Sequence, residues 1–299
     1  MAPPGEIRIG ISGWRYRPWR GVFYPAGLPQ KDELAFAASR FNTLEINGTF
    51  YALQRPESFA AWAAATPPGF LFAVKGPRFI THMLKLRNAR TALANFLASG
   101  VLCLGDRLGP ILWQLPASFR FDPERTEAWL AFLPRDTEAA ARLARQHDPS
   151  RLAGRAFCEP GPLRPLRHAL EVRHPSFVRA DFVEMLRRHG VALVCSDTVG
   201  WPRLMDVTAG FVYCRLHGVE EFYASGYDPP VIEAWARRIL AWAGGGEPAD
   251  AERAAGPAPD RAPRDVFVYF DNDAKVRAPF DAAALIRRIA ELQARAAPA

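Results

Sequence analysis

The feature that most restricts the fold of this chain is its rhythm. Short runs rich in β-branched and aromatic residues recur, and most are separated by stretches whose apolar residues follow helical spacing. This alternation implies right-handed crossovers and a parallel sheet. The runs are IRIGISGW (7–14), TLEINGTF (43–50), FLFAVKG (70–76), GPILWQLP (109–116), HALEVRH (168–174), ALVCSDT (192–198), FVYCRLHG (211–218) and DVFVYFDND (265–273). Eight such units in about 250 residues predict an α/β fold, a single (β/α)8 TIM-like barrel with an eight-stranded parallel core and outer helices.

An open doubly wound sheet is the main alternative, but no G-x-G-x-x-G follows the first run and no run stands out as an antiparallel edge. Two segments interrupt the alternation. Residues 117–167 are too long for one crossover and predict a helical insertion, whereas residues 244–264 are rich in Gly, Pro and charge and predict a flexible loop. Because the runs continue beyond both segments, we expect residues 1–299 to form a single domain.

Composition limits the environment more than the activity. No apolar run approaches the roughly 20 residues of a membrane span, and MAPPGEIRIG lacks the charged and apolar regions of a signal peptide. We therefore expect a cytoplasmic protein with no membrane association. The net charge of +7 permits phosphate binding without demonstrating it. No two of the four cysteines form a C-x-x-C pair, and we interpret all four as buried thiols. Nothing in the sequence sets the oligomeric state.

The run FVYCRLHG contains an unusual pair of charges. Side chains alternate between the two faces of a strand, so Arg215 and His217 continue the face of Phe211 and Tyr213. Buried charges need partners, and active sites of such barrels lie at the carboxyl ends of the strands. On the face assigned as inward, the polar residues at the strand ends are Ser12, Glu45, Asn47, Lys75, Gln114, Glu171, Arg173, Asp197, Arg215, His217 and Asp271. This convergence favours a ligand site over a structural network in which Arg and Glu neutralise each other.

The residue types suggest roles. Arg173 and Arg215 offer planar forks to a phosphate or carboxylate and Lys75 adds a compact charge, while Arg78 and His82 follow on the next loop. Acid/base catalysis is assigned to Glu45, Glu171, Asp197 and His217. These assignments predict an enzyme, a hydrolase, lyase or isomerase, that acts on a small polar or anionic substrate, phosphorylated compounds included. Substrate binding is assigned to Ser12, Trp14, Asn47, Lys75, Arg78, His82, Gln114, Arg173, Arg215 and Asp271.

The same acids allow a lesser alternative, a divalent metal ion held by Asp197, His217, Glu171 and Asp271. The sequence contains no H-E-x-x-H or H-x-H, and the neighbouring Arg and Lys residues would repel a cation. No metal site and no cofactor are therefore predicted.

The loop after the first run supports two interpretations. Trp14, Tyr16, Trp19, Phe23 and Tyr24 alternate there with Arg15, Arg17 and Arg20, a mixture suited to stacking bases and contacting phosphates. A nucleic-acid-binding barrel, with or without metal-assisted phosphodiester cleavage, is thus the second functional hypothesis. We favour an apolar lid with its arginines turned to water, because no known nucleic-acid-binding module is present.

With these motifs in order, the chain resembles the YecE-like family, a domain of unknown function (DUF72) with a TIM-barrel-like fold. The resemblance covers nearly the whole chain and is carried by ISGWRYRPWRGVFYP, LEINGTFY, VKGPRFITHMLKL, LGPILWQLPASF, LEVRHPSF, YCRLHG and VYFDNDAKVRAPFDAAAL. It implies the fold and no particular reaction. FDND and PFDA depart from the amide-rich pattern of the family, so Asp271 and Asp281 add negative charge.

Overall fold

A computed structural model describes residues 3–218 and 226–296. Its strands follow chain order around a closed parallel barrel with surrounding helices, which confirms the predicted (β/α)8 architecture. The strands are β1 (Ile7–Ser12), β2 (Thr43–Ile46), β3 (Leu71–Lys75), β4 (Leu108–Gln114), β5 (His168–Glu171), β6 (Ala192–Asp197), β7 (Phe211–Leu216) and β8 (Asp265–Phe270).

The helices lie where apolar residues recur at helical spacing. They are α1 (Glu33–Ala38), α2 (Gly48–Tyr51), α3 (Pro56–Ala64), α4 (Arg90–Ala98), α5 (Pro123–Phe132), α6 (Thr137–Ala144), α7 (Pro149–Leu152), α8 (Ala180–His189), α9 (Pro229–Ala243) and α10 (Ala278–Ala296). Each strand ends before the end of the run that predicted it. Within TLEINGTF, for example, β2 ends at Ile46 and α2 begins at Gly48, because Asn47 already has helical backbone angles. Residue type alone does not reveal that turn.

By its internal contacts the chain divides into two compact units, a terminal unit (Met1–Leu44 and Val178–Ala299) and a central unit (Glu45–Phe177). The expectation of a single domain over 1–299 stays a prediction. None of the helices in the described ranges combines the length and the apolar character needed to cross a bilayer.

In the central unit, β3, β4 and β5 pair in parallel. Register places Lys75 beside Leu112 and Gln114 beside Glu171, so polar side chains share one face at the carboxyl ends. The opposite face carries Trp113, which is fully buried and packs edge-on against Trp129 of α5. The segment 117–167 contains α5, α6 and α7, each capped by an aspartate.

In the terminal unit, β8 pairs with both β1 and β7, and β6 pairs with β7. Residues 244–264 contain no helix or strand. They are nevertheless fixed at one end, because the buried Arg264 donates hydrogen bonds to the carbonyl oxygens of Gly246 and Asp260. The flexibility expected of this segment stays a prediction.

Candidate functional site

A cluster of charged side chains occupies the carboxyl ends of strands in the central unit. Lys75 is the last residue of β3 and Glu171 the last residue of β5, and both are buried. Arg173, two residues beyond β5, donates from Nε to Glu171 Oε1 at 2.7 Å. This charge-assisted bond fixes the plane of the guanidinium group. The paired Gln114 at the end of β4 adds a buried amide to the same face.

A π-helical turn, Phe79–Met83, follows β3 and carries His82. Thr81 Oγ1 lies 2.9 Å from His82 Nδ1. The ring of Phe50 stands edge-on to His82 at 5.1 Å between centroids, and Lys75 Nζ lies 4.5 Å from the centroid of Phe50. Phe50 therefore connects the lysine and the histidine. Single π-helical turns are rare and are concentrated at functional sites.

The backbone after this turn is strained. Lys85, Leu86 and Asn88 all have positive φ angles, between 47° and 68°. For a branched residue such as Leu86 the left-handed region is costly, and such strain persists only when surrounding contacts impose it. The loop after β3 is thus held in a specific shape.

The surroundings of His82 lower its pKa. Burial and the nearby Arg173 and Lys75 bring the pKa of His82 down to about 4, with Arg78 acting in the same direction and Glu171 against it. The imidazole is therefore neutral at physiological pH and can accept a proton or donate a hydrogen bond.

Two further predicted residues lie at the start of the central unit. Glu45, in β2, is fully buried. Asn47, immediately after β2, is half-buried, and its buried Oδ1 has no hydrogen-bond partner among the described residues. A buried amide oxygen without a partner is unfavourable and is suited to receive a donor from a ligand.

The terminal unit contains a second cluster with a different character. Arg215 is fully buried and donates from Nη2 to Asp271 Oδ2 at 2.7 Å and to Ser12 Oγ at 3.4 Å. His217, also fully buried, has Nδ1 3.1 Å from the same Asp271 oxygen. The same Asp271 oxygen therefore lies close to both Arg215 and His217.

Asp273 lies next to this cluster and was missed by the sequence analysis. Burial, and then the charge of Asp271, raise the pKa of Asp273 to about 6, against opposing contributions from a hydrogen bond with Tyr16 and from Arg215. A carboxyl group with a pKa raised in this way stays partly protonated near neutral pH and can act as a general acid. The only sequence signal is the second aspartate of FDND, which resembles any acidic loop residue.

The assignment of Asp197 to the same face as Arg215 was wrong. Register pairs Ser196 with Arg215 and Asp197 with Leu216, so Asp197 points to the opposite face of β6. There it accepts hydrogen bonds from Trp235 Nε1 of α9 at 3.1 Å and from Arg203 Nη1 at 3.1 Å. Asp197 therefore anchors an outer helix to the barrel.

The aromatic residues of the first loop pack on one another. Trp14, Trp19 and Tyr24 are buried, and the centroids of Trp19 and Tyr16 lie 4.5 Å apart. Arg15, Arg17 and Arg20 are exposed, and Arg20 pairs with Glu33 at 2.6 Å. The side chains of Trp14, Trp19 and Tyr24 are each less than a tenth exposed. The substrate contact predicted for Trp14 stays a prediction.

The lesser alternative of a metal ion has no geometric support in the described ranges. No group of three or more His, Cys, Asp or Glu side chains within residues 3–218 and 226–296 is positioned to hold a metal ion.

Comparison with known proteins identifies the family. The family model for "Protein of unknown function DUF72" matches residues 8–299. The chain belongs to the DUF72 family. It is 34% identical over 113 residues to UPF0759 protein YecE of Escherichia coli K12, a match that covers 38% of this chain and 39% of that relative.

Solved structures support the fold of this DUF72 protein. A DUF72 family protein from Thermotoga maritima superposes with a TM-score of 0.70 at 23% identity, covering 95% of this chain and 99% of that one. Another, from Enterococcus faecalis, superposes with a TM-score of 0.68 at 17% identity, covering 95% of each chain.

In this DUF72 protein the predicted site residues thus fall into two sets. The central unit brings together Lys75, Arg173, Glu171, His82 and Arg78, and the terminal unit brings together Arg215, His217, Asp271 and Ser12. The roles assigned to these residues, and their meeting in a single pocket, stay predictions.

Proposed function

We propose that this DUF72 protein is an enzyme that binds a small anionic substrate at the carboxyl ends of β3 and β5 and transfers a proton through His82. The observation that carries this proposal is the excess of positive charge around a neutral imidazole. Lys75, Arg78 and Arg173 all lower the pKa of His82, and Glu171 acts against them. A group of neighbouring cations of this kind attracts an anion.

The residues of the proposed site have different parts in binding the substrate. The guanidinium of Arg173, held by Glu171 at 2.7 Å, is oriented before any ligand arrives. Arginine and lysine contribute differently, the first as a planar fork and the second as a point charge. Glu171, committed to Arg173, is a positioning residue in this proposal, while Glu45 keeps its predicted part in proton transfer. The buried Oδ1 of Asn47 is available to a hydroxyl or amine of the substrate.

An anion bound beside His82 changes the chemistry of the ring. It offsets the positive charge of Lys75 and Arg173, which removes part of the cause of the low pKa. His82 then becomes a stronger base in the complex than in the free protein, and Thr81 at 2.9 Å from Nδ1 fixes the ring plane. Proton transfer next to an anionic group serves a hydrolase, a lyase or an isomerase.

The first test is binding of inorganic phosphate, measured by titration calorimetry and by thermal shift. The wild-type protein should bind phosphate, and Lys75→Met should weaken binding by about tenfold or more, because one close charge–charge contact is lost while contact with Phe50 is kept. Arg142→Ala is the matched control, since Arg142 lies on α6 and is 64% exposed. Its affinity for phosphate should equal that of the wild type.

Two results would contradict the proposal. Phosphate, sulfate and phosphorylated metabolites could all fail to bind at low ionic strength, or Lys75→Met could bind phosphate as tightly as the wild type. Short DNA or RNA is included as a further arm. Binding of nucleic acid that weakens steeply with salt and is lost in the triple substitution of Arg15, Arg17 and Arg20 by alanine would favour the nucleic-acid hypothesis instead.

A further inference from the structure

A cavity of about 290 Å³ lies in the central unit against the π-helical turn. Its wall includes Arg78, Asn95 and Arg151. Most of its remaining lining is apolar, and the larger members of that set are Phe50, Tyr51, Leu53, Phe79, Ile80 and Met83.

The cavity and the proposed anion site share residues. Phe50 lines the cavity, and its ring also contacts Lys75 and His82. Arg78 lines the cavity too, and its charge contributes to the low pKa of His82. A molecule in this cavity would therefore lie beside the residues that we assign to the substrate.

Large apolar side chains at the rim of the cavity are left in water. Tyr51 is 68% exposed, Met83 66% and Phe79 46%. Isolated exposed apolar residues are ordinary, but several around one concavity mark a binding surface. A ligand that covers them would bury apolar area that the free protein exposes.

The cavity wall also carries positive charge. Neither Arg78 nor Arg151 has an acidic side chain within the 4.0 Å of an ion pair in the part of the chain that the structure describes. The guanidinium of Arg78 lies 5.5 Å from the centroid of the Tyr51 ring, a cation–π contact that leaves its edge free for an anion. The wall thus combines aromatic rings with cations.

We propose that this cavity holds the aromatic ring of the substrate, which is then a single-ring aryl anion such as an aryl phosphate, with its charged group turned towards Arg78 and Lys75. The proposal rests on the proposed function. A cavity of 150 Å³ is known to admit benzene, so one of about 290 Å³ accommodates one substituted ring.

The test compares phenyl phosphate with inorganic phosphate by titration calorimetry on the full chain. Phenyl phosphate should bind the wild type about tenfold more tightly or better, because its ring leaves water. Ala92→Leu, on the cavity wall, should abolish this advantage and leave the affinity for inorganic phosphate unchanged. Ala52→Leu, also on the wall, repeats the test on a different element. Ala61→Leu, on the exposed side of α3, is the control and should bind both compounds like the wild type.

The outcomes separate this inference from the proposed function. Equal affinity of the wild type for both compounds overturns the aryl subsite and leaves the anion site standing. Binding of phenyl phosphate but not of phosphate, lost in Ala92→Leu, supports the cavity and overturns the anion site. If neither compound binds, both proposals fail.

Discussion

The cluster in the central unit and the cluster in the terminal unit contain similar residue types but differ in their balance of charge. Around His82, the cations Lys75, Arg78 and Arg173 outnumber the acids that act on the ring. Around Arg215, the carboxylate of Asp271 lies 2.7 Å from the guanidinium, and its pairing also extends to His217 at 3.1 Å. A surplus of positive charge suits the anion that we propose for the first cluster, whereas a buried ion pair such as Arg215–Asp271 suits a structural role. The two clusters therefore differ in their balance of charge although their residue types are alike.

The largest effect is expected from removing the ion pair between Arg215 and Asp271. Asp271→Ala removes a carboxylate that lies 2.7 Å from the fully buried guanidinium of Arg215, and loss of one partner of a buried ion pair should lower the free energy of unfolding by about 3–5 kcal/mol. Chemical denaturation monitored by circular dichroism measures this change. The control is Asp250→Ala, which removes an exposed partner of Arg238 and should cost less than about 1 kcal/mol. Similar losses in both variants would show that the Arg215 cluster has no special structural role.

A second prediction compares two histidines in the central unit. The pKa of His168 is lowered to about 4, chiefly by burial. Trp113 Nε1 donates to His168 Nδ1 at 3.1 Å, and His168 Nε2 lies 2.7 Å from the Pro134 carbonyl oxygen. The pKa of His82 is also lowered to about 4. Saturating phosphate should raise the pKa of His82 towards its ordinary value of about 6.5 and leave that of His168 unchanged, as read from NMR titrations.

The same shifts predict the direction of acid sensitivity. As the pH falls below about 6.5, both histidines take up protons in the unfolded chain before they do so in the folded protein. The contribution of these two histidines to the free energy of unfolding should therefore decline as the pH is lowered from about 6.5 to about 4. Bound phosphate should reduce the part of this decline that His82 causes. An equal response of the two histidines to phosphate would place the anion elsewhere.

The smallest effect concerns Asp273. Its raised pKa of about 6 means that the folded protein holds a proton there that the unfolded chain has released, so its contribution to stability declines as the pH rises from about 4 to 6. Asp273→Asn should accordingly raise the melting temperature slightly at pH 7.5, with less gain at pH 4.5. A uniform change at both pH values would indicate that the carboxyl group does not titrate in this range.

Much of this molecule follows from local sequence. The alternation of strand and helix predicts the barrel, because a period of two and a period of 3.6 residues are visible in a single stretch of chain. The polar ends of the strands follow for the same reason, and the register of β3, β4 and β5 places Lys75, Gln114 and Glu171 on one face.

What local sequence leaves open is decided by contacts between distant segments. In ALVCSDT no alternation favours either face, so only the register of β6 against β7 places Asp197 under α9. The low pKa of His82, the raised pKa of Asp273 and the cavity beside Phe50 have the same origin. Each depends on burial and on charges brought near by the fold, and those are properties of three-dimensional packing that no short stretch of sequence contains.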